Sequence, residues 1–167
     1  YTNRNINAIK YTQPGKTFYL GELAISGDSF DTALVIPKDV PSTDDNSAIY
    51  LFATGEGIEA TGTINDFTIG GLYKNAPDDR HGPEIELEID GKIFSDGAFI
   101  NHQPTLKATI SDSSSINIYG NRGHNITLII DKTESFVLTD RFKTIDGYTT
   151  GVLEYTLPIL SPGEHIL

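Results

Sequence analysis

The sequence contains no cysteine and no methionine in 167 residues. The lack of cysteine excludes a disulfide framework, a thiolate metal site and a cysteine nucleophile within these residues. Because no methionine is present, the chain does not begin at a start codon, and we expect it to be a processed or excised piece of a longer protein. The sequence also lacks a signal peptide and any apolar run of about 18 residues, so no membrane insertion is expected.

Basic residues are scarce, with 12 Lys and Arg against 23 Asp and Glu and a formal net charge of −11. Such an acidic surface repels phosphate backbones and anionic lipids, and no run of Lys or Arg offsets it. Nucleic acid is therefore not an expected partner, whereas divalent cations are compatible with this charge.

Helical periodicity is missing as well, since 16 Gly and 8 Pro interrupt the chain throughout. Short apolar runs between turn residues are typical of strands instead. The predicted strands cover residues 16–25, 31–37, 48–53, 58–69, 84–90, 105–112, 125–131, 135–138 and 148–157, and another begins at 163–167. Within 58–69, the pair Asn65-Asp66 predicts a turn between two short strands.

The clearest strand is 84–90, in which three glutamates alternate with Ile85, Leu87 and Ile89. This period of two predicts one solvated and one buried face, and Asp90-Gly91 after it predicts a hairpin. Carboxylates two residues apart could also supply the paired catalytic groups of a glycoside hydrolase. We interpret these three glutamates instead as a solvated outer face whose like charges discourage mispairing of strands.

These patterns predict an all-β chain, an antiparallel β-sandwich of the jelly-roll or immunoglobulin-like kind, with roughly 9–12 strands. Residues 16–167 are expected to form a single sandwich domain. Residues 1–15 are expected to be a linker or a peripheral strand.

The segment Gly55–Ala60 reads GEGIEA and fits the G-x-G-x-x-A form of the dinucleotide fingerprint. That fingerprint requires a helix directly after the glycines. Here the β-branched stretch T-G-T-I follows, so the segment is predicted to be a turn.

Two acidic loops are candidates for a calcium site, because Ca²⁺ takes oxygen ligands from loops. The first holds Asp78 and Asp79, near Glu84, and the second runs from Asp112 to Asn117. Neither has EF-hand spacing, and Asp, Asn and Ser are also ordinary turn formers. Apart from this possible calcium ion, the sequence implies no cofactor.

Catalytic motifs are absent: the sequence has no G-x-S-x-G elbow, no P-loop and no zinc-ligand spacing among its four histidines. His124 lies between Gly123 and Asn125 ahead of an apolar run. It is predicted to be a buried or turn histidine whose ring nitrogens are satisfied.

Three blocks occur in a distinctive order: Pro37-Lys38-Asp39, then D-x-x-G-P-E-I from Asp79 to Ile85, then G-x-x-G-H-x-I from Gly120 to Ile126. Together with Ile116-Asn117, they resemble the β-rich region after the catalytic domain of gingipain-like cysteine peptidases. The signal peptidases, or sortases, of type IX secretion are the members most similar. The resemblance covers roughly residues 30 to 167.

The resemblance implies a non-catalytic module of a secreted peptidase whose Cys/His dyad lies in an upstream caspase-like domain of the same chain. It implies export to the outer membrane surface or the extracellular space, and secreted cargo proteins as further partners. The module would act as a scaffold or present substrate. The alternative is a carbohydrate-binding or adhesin-like module, for which a platform of exposed tyrosines would be required.

No catalytic residue of that family falls on this sequence, so only structural roles carry over. Gly82-Pro83 would set the start of the strand at Glu84, because proline fixes φ and lacks a ladder donor. Gly120 and Gly123 would allow turn conformations closed to other residues. His124 and Asp79 would hold loops by hydrogen bonds.

Overall fold

The computed structural model describes residues 15–42, 44, 46–76, 78–119, 123–145 and 147–167. Within these ranges the chain is all-β, and one 3-10 helix at Thr139–Arg141 is the only helix. The prediction of an all-β chain with antiparallel sheets is confirmed. The strands are β1 Gly21–Glu22, β2 Ser47–Gly55, β3 Ile58–Phe67, β4 Glu84–Ile89, β5 Lys92–Ile93, β6 Thr105–Ser111, β7 Thr127–Ile130, β8 Glu134–Val137, β9 Lys143–Ile145 and β10 Thr150–Thr156.

A six-stranded sheet in the order β1-β9-β10-β6-β4-β5 forms the body of the fold. Its pairs are antiparallel except that β1 runs parallel to β9. The long strands β4, β6 and β10 lie next to one another because each alternates apolar with polar residues, so one continuous face can be buried.

The inner face of the sheet carries most of the core. Ala108 and Ile110 of β6 and Leu153 of β10 are buried there, and the hairpin β7–β8 packs over them through Leu128 and Phe136. Phe142, which is fully buried, belongs to the same cluster. Among the described strands this hairpin is what covers the inner face, so the second full sheet of a sandwich stays a prediction.

The hairpin β2–β3 forms a separate two-stranded sheet. Its turn is Glu56-Gly57, where both residues have positive φ, 43° and 82°, the conformation of a type I′ hairpin turn. The turn prediction for GEGIEA is therefore confirmed. Because strand β3 begins directly after this turn, no helix N-terminus follows the glycines to bind a pyrophosphate.

The turn predicted at Asn65-Asp66 is wrong, because both residues lie inside the continuous strand β3. The register between β2 and β3 shifts between Ser47 and Ile49. The polar pair is thus absorbed as a β-bulge, which takes up an extra residue without reversing the chain.

Other predicted strands are shorter or missing. Only Gly21–Glu22 of 16–25 is a strand, and 31–37 and 163–167 are not strands. An apolar pattern alone does not create a strand where no neighbour offers a ladder, and Val35 and Ile36 are indeed exposed. Conversely, β9 was not predicted, because its three residues include Lys143 and Thr144 and show no apolar run. Residues 1–14 lie outside the described residues, so the linker or peripheral strand stays a prediction.

Candidate functional site

Asp39, from the loop before β2, meets Asn117 and His124, which both lie between β6 and β7, and we call this group the loop joint. The Asn117 amide donates a hydrogen bond of 2.9 Å to the Asp39 carboxylate. The same amide nitrogen lies 3.4 Å from His124 Nδ1, and His124 Nε2 lies 3.5 Å from Asp39 Oδ2. The joint connects positions as far apart in sequence as Asp39 and His124, so it fixes loops that the strand ladders leave unpaired.

Backbone bonds next to the joint place its side chains. The Tyr119 N–H donates to the Asn117 side-chain oxygen, so both ends of the Asn117 amide are bonded. Ile118, between these two residues, is buried in the core. His124 follows Gly123, whose φ of 96° favours glycine. Two residues later, the Ile126 N–H donates to Thr139 Oγ1, which ties this loop to the 3-10 helix.

The positive φ of Gly123 is compatible with the role predicted for it, whereas Gly120 lies outside the described residues. His124 lies in the loop directly after the turn residue Gly123, with a polar group near each ring nitrogen. It is not buried, since its side chain is 40% exposed.

A second polar contact links the two loops that were candidates for calcium. The Ser114 hydroxyl and its backbone N–H both donate to Asp112 Oδ1, at 2.9 and 2.7 Å. Asp79 faces the same serine. Hydrogen bonding to Ser114, followed by the backbone N–H of His81, holds the pKa of the Asp79 carboxyl below its usual value. The Asp79 carboxylate accepts the His81 N–H at 3.0 Å within its own loop, and its role in holding loops together stays a prediction.

Of the four residues predicted as calcium ligands, Asp79 and Asp112 lie close enough to interact, and the calcium site stays a prediction. Asp78 instead accepts two hydrogen bonds from the Arg80 guanidinium at the surface, and Asn117 is engaged in the loop joint. In the part of the chain that the structure describes, no group of three or more His, Cys, Asp or Glu side chains could hold a metal ion.

The start of β4 agrees with the role given to Gly82 and Pro83, since β4 begins at Glu84, directly after the proline. Glu84, Glu86 and Glu88 stand opposite Ser111, Thr109 and Lys107 of β6. Glu88 and Lys107 are 3.4 Å apart. The three carboxylates therefore lie along the polar face of a sheet rather than across a cleft, which fits their interpretation as an outer face.

A second cluster lies at the tip of the β7–β8 hairpin. His165 Nδ1 is 2.7 Å from Asp131 Oδ2, and His165 Nε2 is 2.8 Å from the Ser161 carbonyl. Because both ring nitrogens face acceptors, the imidazolium is favoured, and the pKa of His165 is raised by the Ser161 carbonyl and by Asp131. The Asp131 pKa is lowered by the Ile166 N–H and by His165.

The tyrosines divide into core and surface groups. Tyr155 packs against Phe136 in the core, and the Tyr19 hydroxyl donates to the Gly147 carbonyl. Tyr50 and Tyr73 are 70% and 75% exposed. Phe52, on the same face of β2 as Tyr50, is 66% exposed, so an exposed aromatic pair lies on the β2–β3 hairpin.

Sequence reasoning did not single out three of these polar partners. Asp39 was noted only within its block, and neither Asp131 nor His165 was proposed as a partner of the other. Pairs separated by 78 and 34 positions leave no local spacing signal, so only the fold could reveal them.

In comparisons with protein-family models, curated proteins and solved structures, nothing matches this chain. Among the described residues, no helix has the length and apolar character needed to cross a membrane.

Proposed function

We propose that this chain is a non-catalytic β module of a secreted, gingipain- or sortase-type cysteine peptidase linked to type IX secretion. Its partner in the same polypeptide is an upstream caspase-like domain that carries the catalytic Cys and His. The module acts as a scaffold for that domain or presents secreted cargo to it, at the outer membrane surface or outside the cell.

The observation that supports the proposal is the meeting of residues from separate blocks of the resemblance. Asp39 comes from the first block and His124 from the last, and Asn117 from the pair before it contacts both. Blocks with a shared structural purpose are expected to meet in this way. Chance similarities spread along a sequence have no reason to do so.

The chemistry of the joint favours support over catalysis. A hydrolytic triad needs a nucleophile within hydrogen-bond reach of the base. His124 lies near the Asn117 amide and the Asp39 carboxylate, and neither an amide nor this paired carboxylate is positioned as a nucleophile beside a base. On the polar face of β4 the three carboxylates likewise lie along a sheet surface opposite β6, rather than on two sides of a cleft that sets them about 5–10 Å apart around a sugar.

The direct test is to purify the 167-residue chain and assay it with a mixture of fluorogenic peptides. We expect no turnover above that of a heat-denatured sample. The matched control is His124→Gln, which keeps an amide near Asp39. Turnover that co-purifies with the wild-type chain and is lost in this variant would make the joint an active site and overturn the proposal.

A carbohydrate-binding or adhesin-like module is the second candidate, and the exposed pair Tyr50 and Phe52 is the observation that favours it. Side chains two apart on a strand share a face and can stack on neighbouring sugar rings. Binding on a glycan array that is lost in Tyr50→Ala but kept in Tyr73→Ala would support this candidate. An array without hits would remove it.

A further inference from the structure

The outer edge of β3 is a row of backbone groups without a strand partner in the described part of the chain. The hairpin β2–β3 is a sheet of two strands only, and most side chains of both strands are exposed. Ile58 and Ile64 of β3 are 72% and 46% exposed. A two-stranded hairpin is marginally stable alone in water, so this one gains from a further strand.

The register identifies which groups point outward. The turn is closed by the pair Gly55–Ile58, and in a two-residue hairpin the closing pair is hydrogen-bonded, with bonded and non-bonded pairs alternating from there. Glu59, Thr61 and Thr63 belong to non-bonded pairs, so their N–H and C=O groups face away from β2. By the same alternation, the backbone N–H and C=O groups of Tyr50, Phe52 and Thr54 in β2 face away from β3, on the opposite edge of the hairpin.

Neither strand carries the proline or lysine that often protects a free edge. Natural edge strands are blocked by proline, charged side chains (lysine above all), bulges, very short length or a covering element. The strands Ser47–Gly55 and Ile58–Phe67 contain no proline and no lysine. The bulge lies at the base of the hairpin, next to Ser47, so it leaves the outward groups near the turn accessible.

Charge distinguishes the two edges. Strand β2 has no charged side chain, whereas β3 carries Glu59 and Asp66, and Glu56 lies in the turn beside it. No Lys or Arg lies anywhere between Ser47 and Phe67. The β3 edge therefore attracts a cationic partner and repels a second copy of this acidic chain.

From these observations we propose that the outer edge of β3 binds an extended, basic segment of a partner polypeptide, which adds to the hairpin as a third strand. Backbone hydrogen bonds to Glu59, Thr61 and Thr63 supply affinity, as in other β-augmentation sites. Lysine or arginine side chains of the segment pair with Glu59. The inference does not depend on the peptidase assignment.

The test uses a blocked peptide of about eight residues that alternates lysine with valine or threonine, which is long enough for one strand. Its binding to the 167-residue chain is measured by NMR titration. We expect the amide signals of Glu59, Thr61 and Thr63 to shift and become protected from exchange. We also expect the affinity to fall as salt is added. A peptide with glutamate in place of lysine is not expected to bind.

Two matched variants separate the edges. Thr61→Pro removes an outward N–H of β3 without touching the ladder to β2, and Thr54→Pro does the same for β2. We expect Thr61→Pro to weaken peptide binding at least about tenfold and Thr54→Pro to leave it within about twofold. Thr61→Lys adds a cation to the edge but keeps the N–H, and we expect it to weaken peptide binding as well. This variant keeps the test valid if the proline variant misfolds.

Other outcomes overturn the proposal. Peptide binding that is equal in Thr61→Pro and wild type means that the edge is not the site. Self-association of the chain in sedimentation experiments that Thr61→Pro abolishes would assign the edge to a second copy. Binding that appears only after residues 1–14 are deleted would assign it to this chain's own N-terminal segment. If the peptide binds neither the 167-residue chain nor the chain lacking residues 1–14, and the chain does not self-associate, the proposal is also contradicted.

Discussion

Asn117 donates a 2.9 Å hydrogen bond to Asp39, a residue 78 positions earlier in the chain. The Asp39 side chain is 28% exposed, so the bond is partly shielded from water. The other end of the Asn117 amide accepts the Tyr119 N–H. This single side chain therefore connects the loop before β2 to the loop after β6.

Replacing Asn117 by Ala is expected to lower the free energy of unfolding by about 1–3 kcal/mol, because the hydrogen bond to the Asp39 carboxylate and the acceptor for the Tyr119 N–H are both lost. For a chain of this size the melting temperature would drop by about 2–4 °C for each kcal/mol. Asn75→Ala, at an exposed loop position, is the control and should change the melting temperature little.

Asn117→Asp gives a sharper test, because it keeps the shape but sets a second carboxylate against Asp39. We expect the variant to be less stable than Asn117→Ala at neutral pH and to regain stability on acidification, as protonation removes the repulsion. Melting curves between about pH 4 and pH 8 would show this. Equal melting temperatures for the Asp and Ala variants at every pH would mean that Asp39 and Asn117 do not interact.

The pair His165–Asp131 predicts a pH window for stability. The pKa of His165 is raised above 6.5, so its contribution is complete below that value and is lost as the pH rises through the folded pKa. The pKa of Asp131 is lowered below 3.8, so its contribution is present above that value and is lost as the pH falls through the folded pKa. The pair therefore stabilises most between these two values.

The measurement is the melting temperature against pH for wild type and His165→Gln. The difference between the two curves should be largest inside the window and should shrink at alkaline pH. Glu164→Gln, which removes a neighbouring charge but keeps the bonds of His165, serves as the control. A difference that does not vary with pH would contradict the imidazolium form of His165.

Gly151 tests the packing of the central sheet. A Cβ at this position would meet the buried Phe142 ring and the Lys143 carbonyl oxygen at 2.6 Å or less. Gly151→Ala is therefore expected to cost at least about 1–3 kcal/mol, as overpacking of a core does. At Gly62 in β3 the nearest atoms would be 3.7 Å away, so Gly62→Ala should be neutral or slightly stabilising. Similar melting temperatures for the two variants would count against the β9–β10 packing.

Hydrogen exchange should separate the hairpin β2–β3 from the central sheet. Strand β6 is paired on both sides and buries Ala108, whereas Leu51 of β2 pairs only with β3. Local opening is easiest where few apolar contacts are buried. We expect the Leu51 amide to exchange much faster than the Ala108 amide under native conditions. Equal protection would mean that the hairpin does not open separately from the body.

The central strands could be predicted well because the residue pattern within each strand is enough to indicate it. In 84–90 the alternation of Glu with Ile and Leu specifies both the strand and its outer face. Glu56-Gly57 specifies a hairpin by the conformations that its two residues adopt. Both features depend on neighbours in sequence, which a pattern can show.

The candidate site could be predicted only in part. Gly123 and His124 stood out by their motif, and Asp79 by its block. The contact of Asn117 with Asp39, and of His165 with Asp131, depends on how the loops close around the sheet. No periodicity in the sequence indicates how the loops close, and Asp and Asn are also ordinary turn formers.

The central claim is that this chain is the accessory β module of a cysteine peptidase, and the coding sequence directly upstream of it tests that claim most directly. Determining that sequence from the genomic DNA should reveal, in the same reading frame, a caspase-like domain with a His and a Cys suited to form a dyad. A reading frame that begins next to residue 1 with a start codon, or that encodes an unrelated domain, would contradict the account.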